Sequence, residues 1–542
     1  MPQIIACPGG FCFNGLESRR RSTRLQAQVL TGSLFGVEAA PVRVEADVSG
    51  GLPRLGIVGL PDVAVREAAE RVRAAIKRSG FEWPAGRITV NLAPASLRKA
   101  GAGLDLAIAV AILGASGVLP PGRLDDLALL GELSLSGQVR PVHGALAVAR
   151  AVARAGTRRL VTAAGCSQEA ALVAGLQVLP AGSLAEVVAY LKGAQGGLHV
   201  VRSRAEDLLA RAASVPGPDM SDVRGQIQAR RALEVAAAGG HNLLLYGPPG
   251  SGKTMLARRL SGLLPPPALE EALTITQIAS CAGLGCQDGL MTSRPFRAPH
   301  HSVTPAGLIG GGLPPRPGEI SLAHGGVLFL DELPEFGRRV LDLLRQPLEE
   351  GDVILSRGGR RAAFPACFQL VAAMNPCPCG YLGDPARPCT CTPHAVQRYR
   401  GRVSGPLLDR IDIHVEVPRP SPAALSGQPG EETAAVRRRV LVARAHQEKR
   451  QVTSADGQSA PAEVNGELRA GSLRRLCRTT PAGRRLLEQA MTTLALSARA
   501  HDAVLRVSRT LADLDGCEEI EAGHIAEAVS LRGLDRDHQR PG

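Results

Sequence analysis

The sequence predicts an α/β chain in three parts: an α/β domain first, a P-loop α/β core next, and an all-α region last. Three observations carry this. Residues 241–260, HNLLLYGPPGSGKTMLARRL, read in succession as a buried strand, a glycine-rich loop and a helix. Residues 326–332, GVLFLDE, form an apolar strand that ends in two carboxylates. After about residue 431 the apolar positions recur at helical spacing.

At 542 residues the chain has room for about two to four domains. Its 44% hydrophobic content suffices for ordinary cores. The apolar run nearest to a membrane span, 105–118, is too short and starts at Asp105, so no bilayer crossing is expected. In residues 1–24 the basic cluster follows the weak apolar part, the reverse of a signal peptide. A disordered leader and a cytoplasmic location are expected. The net charge of +13 favours a polyanionic partner such as DNA. Arg residues scattered through helices also suit an ordinary solvated surface. With aromatics at 3% and one Trp, a grip on nucleic acid would fall on phosphates rather than stacked bases. Twelve Cys in such a chain are not a disulfide scaffold. Four of them cluster, and the other eight read as small buried hydrophobes.

Residues 25–195 read as the first domain, with strands expected over 41–48, 54–58 and 87–92 and helices over 64–79, 105–114 and 146–155. A linker is expected over 196–220, and the ATPase-like core over 221–418. Within Gly247, Pro248, Pro249, Gly250, Ser251, Gly252, Lys253 and Thr254 the glycines let successive N–H groups turn toward phosphate. The helix start adds its positive end. Lys253 would reach the β- and γ-phosphates of ATP and Thr254 would hold Mg²⁺. Asp331 suits the Mg²⁺ shell, and Glu332 is placed to polarise the attacking water.

Between these motifs lies a long insertion, 270–318, expected to be a mobile, glycine-rich loop whose Arg residues contact substrate. Its adjacent His300 and His301 would diverge on most backbones, which disfavours a metal there. A strand over 368–373 ends at Asn375, which either orients water and senses the γ-phosphate or simply caps the strand. Cys377, Cys379, Cys389 and Cys391 follow as two Cys-x-Cys pairs in one loop, 377–391. Four soft ligands this close fit a structural Zn²⁺ site, with free thiols or a redox pair as the alternative. A Pro/Gly-rich linker over 419–433 leads to helices expected over 434–450, 483–492, 498–514 and 521–531, within an all-α lid at 434–535. Arg499 and Arg506 lie on these helices.

Two resemblances add to this. RKAGAGLDL at 98–106 and GELSLSGQVRPV at 131–142 resemble the Lon-type proteolytic domain. Aligned on that family, Gly103 stands where the nucleophilic Ser belongs and Leu146 where the Lys base belongs. The resemblance therefore implies a Lon-protease-like fold without protease activity. Ser96 and Lys99 lie nearby as an alternative dyad. GPPGSGKT, FRAPHHS, GEISLAHGGVLFLDELPEF, AAMNPCPCG, SGPLLDRIDIHVEV and LSARAHDAVLRVSRTLADL together resemble the magnesium-chelatase-like AAA+ family, and within it the competence ComM/YifB group. That resemblance covers nearly everything after about residue 25. It implies a homo-oligomeric ring, a hexamer, with nucleotide between subunits. Arg410 matches an arginine finger, Arg499 the second sensor of the lid, and Val223 and Gly225 the adenine pocket. It further implies an ATP-dependent motor on DNA, a helicase of branch migration in natural transformation or recombination. A magnesium-chelatase-type subunit and a protein-remodelling ATPase are the alternatives.

Overall fold

The computed structural model describes residues 26–194, 197–212, 217–286, 288–312, 314–357, 360–450 and 464–537. The leader expected over 1–24 lies outside them.

The first part is built on a seven-stranded sheet, order β3-β4-β2-β1-β5-β6-β7. Its strands are β1 (Gln26–Phe35), β2 (Glu38–Ser49), β3 (Arg54–Val58), β4 (Arg87–Ala93), β5 (Leu127–Leu130), β6 (Arg159–Ala163) and β7 (Gln177–Ala181). β1 and β2 form an antiparallel hairpin, registered from Gln26 opposite Asp47 to Phe35 opposite Glu38. Gly36, at φ +70°, supplies the backbone its turn needs. β5, β6 and β7 are parallel to their neighbours.

Against this sheet lie α1 (Val63–Arg78), α2 (Asp105–Ala115) and α3 (Ala145–Arg154). Asp62 starts α1 by accepting the Val65 N–H at 2.8 Å. The apolar run nearest to a membrane span is α2, and every residue of it but Gly114 is buried. It is the central helix of the core, which explains an apolar composition on all sides. Among the described residues no helix is long and apolar enough to cross a membrane.

The second part carries a five-stranded sheet, order β9-β10-β11-β8-β12, from β8 (Leu243–Tyr246), β9 (Phe296–Arg297), β10 (Val327–Leu330), β11 (Gln369–Met374) and β12 (Ile413–Glu416). All its pairings are parallel, so the strands' C-terminal ends share one edge. α4 (Ile227–Gly239) precedes β8 and α5 (Lys253–Leu263) follows it. The described residues beyond 433 form helices, among them α8 (Thr433–Lys449), α9 (Pro481–Thr493), α10 (Ala498–Leu514) and α11 (Ala522–Ser530).

Three stretches differ from their expected character. The insertion over 270–318 opens with a thirteen-residue helix, α6 (Leu269–Cys281), which docks onto the first part. Gly144 donates its N–H to Ser280 at 2.9 Å, and Arg150 pairs with Glu270 at 2.9 Å. The stretch expected as a linker over 196–220 contains a helix, Ala205–Ala212, whose Leu208 and Leu209 pack with Leu146, Ala272 and Leu273. The linker over 419–433 contains the short helix Pro422–Ser426. In the first two, apolar residues bury against a partner that is distant in sequence; the helix Pro422–Ser426 buries none of its residues.

Leu146 is fully buried in that joint between the two parts. Leu146→Ala should therefore destabilise the protein by about 2–5 kcal/mol, the range for truncating a buried Leu. Urea denaturation of the full chain measures it.

Candidate nucleotide site

The site lies at the C-terminal ends of β8, β10 and β11. Gly247 leaves β8 with its N–H on the Met374 carbonyl at 3.2 Å. A Cβ on it would sit 2.1 Å from the Val417 carbonyl oxygen, so the loop can start only with glycine. Gly250 and Gly252 take φ +76° and +92°, and Gly252 turns the chain into α5.

Lys253, the first residue of α5, is buried. Its ammonium donates to the Gly247 and Pro248 carbonyls at 2.8 and 3.0 Å and to Asn375 Oδ1 at 3.2 Å. Burial pulls its pKa down, while Asp331 and Glu332 pull it back up. Thr254 Oγ1 donates to Asp331 Oδ2 at 2.7 Å, and Asp331 Oδ1 accepts the Glu332 N–H at 3.0 Å. Glu332 stands at φ +55°, a left-handed conformation that carries its carboxylate off the end of β10. The hydroxyl of Ser251 is buried without a hydrogen-bond partner among the described residues.

The donor set fits ATP and Mg²⁺. A buried unpaired hydroxyl, a lysine at a helix start and a loop of forced glycines suit a triphosphate, and the Thr254–Asp331 pair suits a hard cation.

Two residues that the sequence reading left unassigned belong here. Gln226 stands at φ +46°, and its amide donates to the Ser251 carbonyl at 2.5 Å. It ties the entry of α4 to the glycine loop, beside Gly225 at φ +68° and the buried Val223. His301 Nδ1 lies 3.6 Å from Glu332 Oε2. His300 and His301, expected to diverge, instead pack ring on ring with centroids 4.0 Å apart. The only cluster of potential metal ligands among the described residues lies elsewhere.

Neither Arg410 nor Arg499 joins this site. β8 and β12 run parallel with Leu243 opposite Ile413, so Arg410 sits at the N-terminal edge of the sheet while the glycine loop leaves its C-terminal edge. A four-residue strand separates the two edges by about 13 Å. Arg499 Nη1 is 3.8 Å from Asp409 Oδ2, and both arginines line one hollow with Asn242, Glu349 and Arg506. Arg410 pairs with Glu349, yet its Nε is buried and unpartnered among the described residues. Arg506 is no solvated arginine, because it donates to the buried Asp412 at 2.9 Å.

Cys377, Cys379, Cys389 and Cys391 converge, with all four sulfurs within 4.8 Å of one another. Cys377 Sγ lies 3.4 Å from Cys379 and 3.6 Å from Cys389, and Cys379 lies 3.5 Å from Cys389. A Zn–S length of about 2.3 Å gives a tetrahedral edge of about 3.8 Å, so the cluster has the size of a Zn²⁺ site. The N–H groups of Cys379 and Cys391 donate to Cys391 Sγ and Cys389 Sγ, each at 3.4 Å, as thiolate ligands require.

In the first part, Gly103 sits beneath Leu130 and Val142, and Leu146 is buried. Neither position offers a nucleophile or base. Lys99 is buried with its ammonium on the Pro94 carbonyl.

Comparison with known proteins agrees with this architecture. The family described as "Magnesium chelatase, subunit ChlI" matches residues 219–425. "Subunit ChlI of Mg-chelatase" matches 44–165, and "Magnesium chelatase, subunit ChlI C-terminal" matches 430–532. The chain is 46% identical to the protein YifB of Escherichia coli (strain K12) over 511 residues, 94% of this chain and 97% of YifB. It is 44% identical to the competence protein ComM of Haemophilus influenzae over 513 residues, 94% of this chain and 98% of ComM. It is 33% identical to Lon protease 2 of Bacillus subtilis over 145 residues, 25% of this chain and 26% of that protein.

Lys253→Ala should abolish binding of a fluorescent ATP analogue. Glu332→Gln should bind it with about the wild-type affinity and lose roughly 10²-fold or more in turnover, as removal of a water-positioning base does. Titration and phosphate release, measured on both variants, check this pair of outcomes.

Proposed function

The chain belongs to the magnesium-chelatase-like family that includes YifB and ComM, and from this premise we propose that it is a ring-forming, Mg²⁺-dependent AAA+ ATPase that moves DNA. The observation that carries the ring is the separation of Arg410 and Arg499 from Lys253 by the full length of the parallel sheet. An arginine that cannot reach its own nucleotide, yet lies in an open hollow, is suited to the nucleotide of a neighbouring copy. Nucleotide then sits between subunits, in a hexamer or another closed ring.

In this reading Lys253 and the loop N–H groups bind the β- and γ-phosphates. Thr254 and Asp331 hold Mg²⁺, which supplies charge neutralisation on the transferred phosphoryl group. Glu332 orients the attacking water, and Asn375, fixed on Lys253, reports the γ-phosphate. Arg410 stabilises the developing charge from the adjacent subunit. Arg499, beside Arg410, acts in trans with it rather than on its own subunit's nucleotide. The cysteine cluster holds one structural Zn²⁺ through four thiolates. Residues 25–195 serve as a Lon-like, non-proteolytic domain, the helices over 434–535 as the lid, and the protein works in the cytoplasm.

The DNA reading is supported by the net charge of +13 and by the likeness to a competence protein. It favours helicase or branch-migration activity, in which a motor pulls on phosphates without reading bases. A magnesium-chelatase-type ATPase subunit is the second reading, supported by the three family matches.

Steady-state ATPase measured with single-stranded and forked DNA across a salt series tests the motor reading. Stimulation by DNA that fades as salt rises is expected, since phosphate contacts weaken steeply with ionic strength. ATPase indifferent to DNA at every salt would remove it. Arg410→Ala should keep nucleotide binding and lose about 10³-fold in turnover. Mixing it with Lys253→Ala subunits should restore activity, because each supplies the half-site the other lacks. No recovery on mixing would refute action in trans.

A further inference from the structure

The loop 377–391 leaves the nucleotide site and returns to it. Cys377 is two residues past Asn375, whose side chain accepts from Lys253 at 3.2 Å. After Cys391, Thr392 caps α7 (Pro393–Arg400) by accepting the Ala395 N–H at 3.2 Å. At the other end of α7, Arg400 Nε donates to the Pro376 carbonyl at 3.1 Å. Both arms of the loop therefore meet at Asn375–Pro376.

The top of the loop touches the phosphate loop itself. Gly380, at φ +86°, lies so close that a Cβ there would be 2.7 Å from Pro249 Cδ and 3.7 Å from Asn375 Cγ. Within 377–391 only Cys377 and Gly380 are buried, so the loop has no apolar core of its own. Arg387, stacked 4.2 Å over the Tyr381 ring, straps its outer face. What crosses its interior is the set of four sulfurs. A loop of this kind owes its shape to the ion that its thiolates bind.

We propose that metal occupancy of the Cys377–Cys379–Cys389–Cys391 cluster sets the position of Asn375 and Pro249, and so governs nucleotide binding at the adjoining site. The inference rests on the zinc reading above and extends it to regulation: a chain stripped of zinc has a misplaced Asn375 and a phosphate loop that has lost its backing. The transmitting elements are the contact of Gly380 with Pro249 and the return of α7 onto Asn375–Pro376.

The test uses the full-length protein with Mg²⁺ in excess throughout. Zinc content is determined by metal analysis, the ion is then removed with a zinc-selective chelator, and affinity for a fluorescent ATP analogue is measured before removal, after it, and after zinc is returned. Circular dichroism follows the fold. The expected result is about one zinc per chain, an affinity at least about tenfold weaker after removal, and recovery on return, with the helical signal unchanged.

Bound zinc whose removal leaves affinity unchanged overturns the coupling and leaves the zinc reading intact. Absence of zinc, with four freely reactive thiols and normal nucleotide binding, overturns both. Gly380→Ala decides the matter independently of stripping, including where the stripped chain precipitates. It should retain its zinc and bind nucleotide about tenfold more weakly, because the added methyl pushes on Pro249. Retained zinc with wild-type affinity in that variant overturns the proposal.

Discussion

The carboxylate of Asp412 holds the second half of the molecule together. It is buried immediately before β12, between His241 Nδ1 at 3.0 Å and Arg506 Nη2 at 2.9 Å. His241 stands at the start of β8, and its other ring nitrogen meets Thr510 on α10 at 2.7 Å. Burial alone would raise the pKa of Asp412, but Arg506 and His241 hold it below the ordinary carboxylate value. Removing one partner of such a group typically costs about 3–5 kcal/mol, because the charge left behind stays buried. This contact pins α10 to the N-terminal edge of the sheet. Arg499 lies seven residues before Arg506, on the same helix face, and Arg410 lies two residues before Asp412. One buried carboxylate therefore gathers both arginines into a single hollow, away from the phosphate loop of the same chain.

The opposite edge is governed by backbone rather than charge. Gly247 cannot carry a side chain against Val417, and Gly250 and Gly252 occupy conformations that other residues resist. The loop is then braced from three directions: by Asn375 through Lys253, by Gln226 through Ser251, and by Gly380 against Pro249. Both arginines stand at one edge of the sheet and the phosphate loop at the other. In the ring proposed above, each subunit would be completed by its neighbour, and hydrolysis would depend on assembly.

The first part of the chain has a different relation to its Lon-type likeness. At the position of the lysine base stands Leu146, sunk into the joint with Ala272, Leu273 and Leu290. The neighbouring Glu169 accepts the Leu146 N–H at 2.7 Å, and burial raises its carboxyl pKa. Ser280 reaches across from the ATPase half to Gly144. Where the resemblance would place a base, the chain carries a leucine packed in the joint between its two parts.

The sequence by itself determined whatever rests on local order. The glycine loop, Asp331 and Glu332, Asn375 and the cysteine pairs are read off contiguous residues, because each needs a fixed spacing along one segment. Helices α2 and α10 fall where their pattern predicts, since a long apolar run or a 3.6-residue period is a strong signal. β1, β5, β6 and β7 carry no clear periodic signal in the sequence. The last three are parallel strands of four or five residues, too short to show a period, and β1 is buried irregularly along its length. The helices Ala205–Ala212 and Leu269–Cys281 were hidden because their apolar faces make sense only against a distant partner. The tertiary structure alone decided that His301 meets Glu332, that Gly380 backs Pro249, and that Arg410 and Arg499 stand together at the far edge of the sheet. These depend on strand direction and on the packing of segments up to hundreds of residues apart, and no spacing along the chain encodes either.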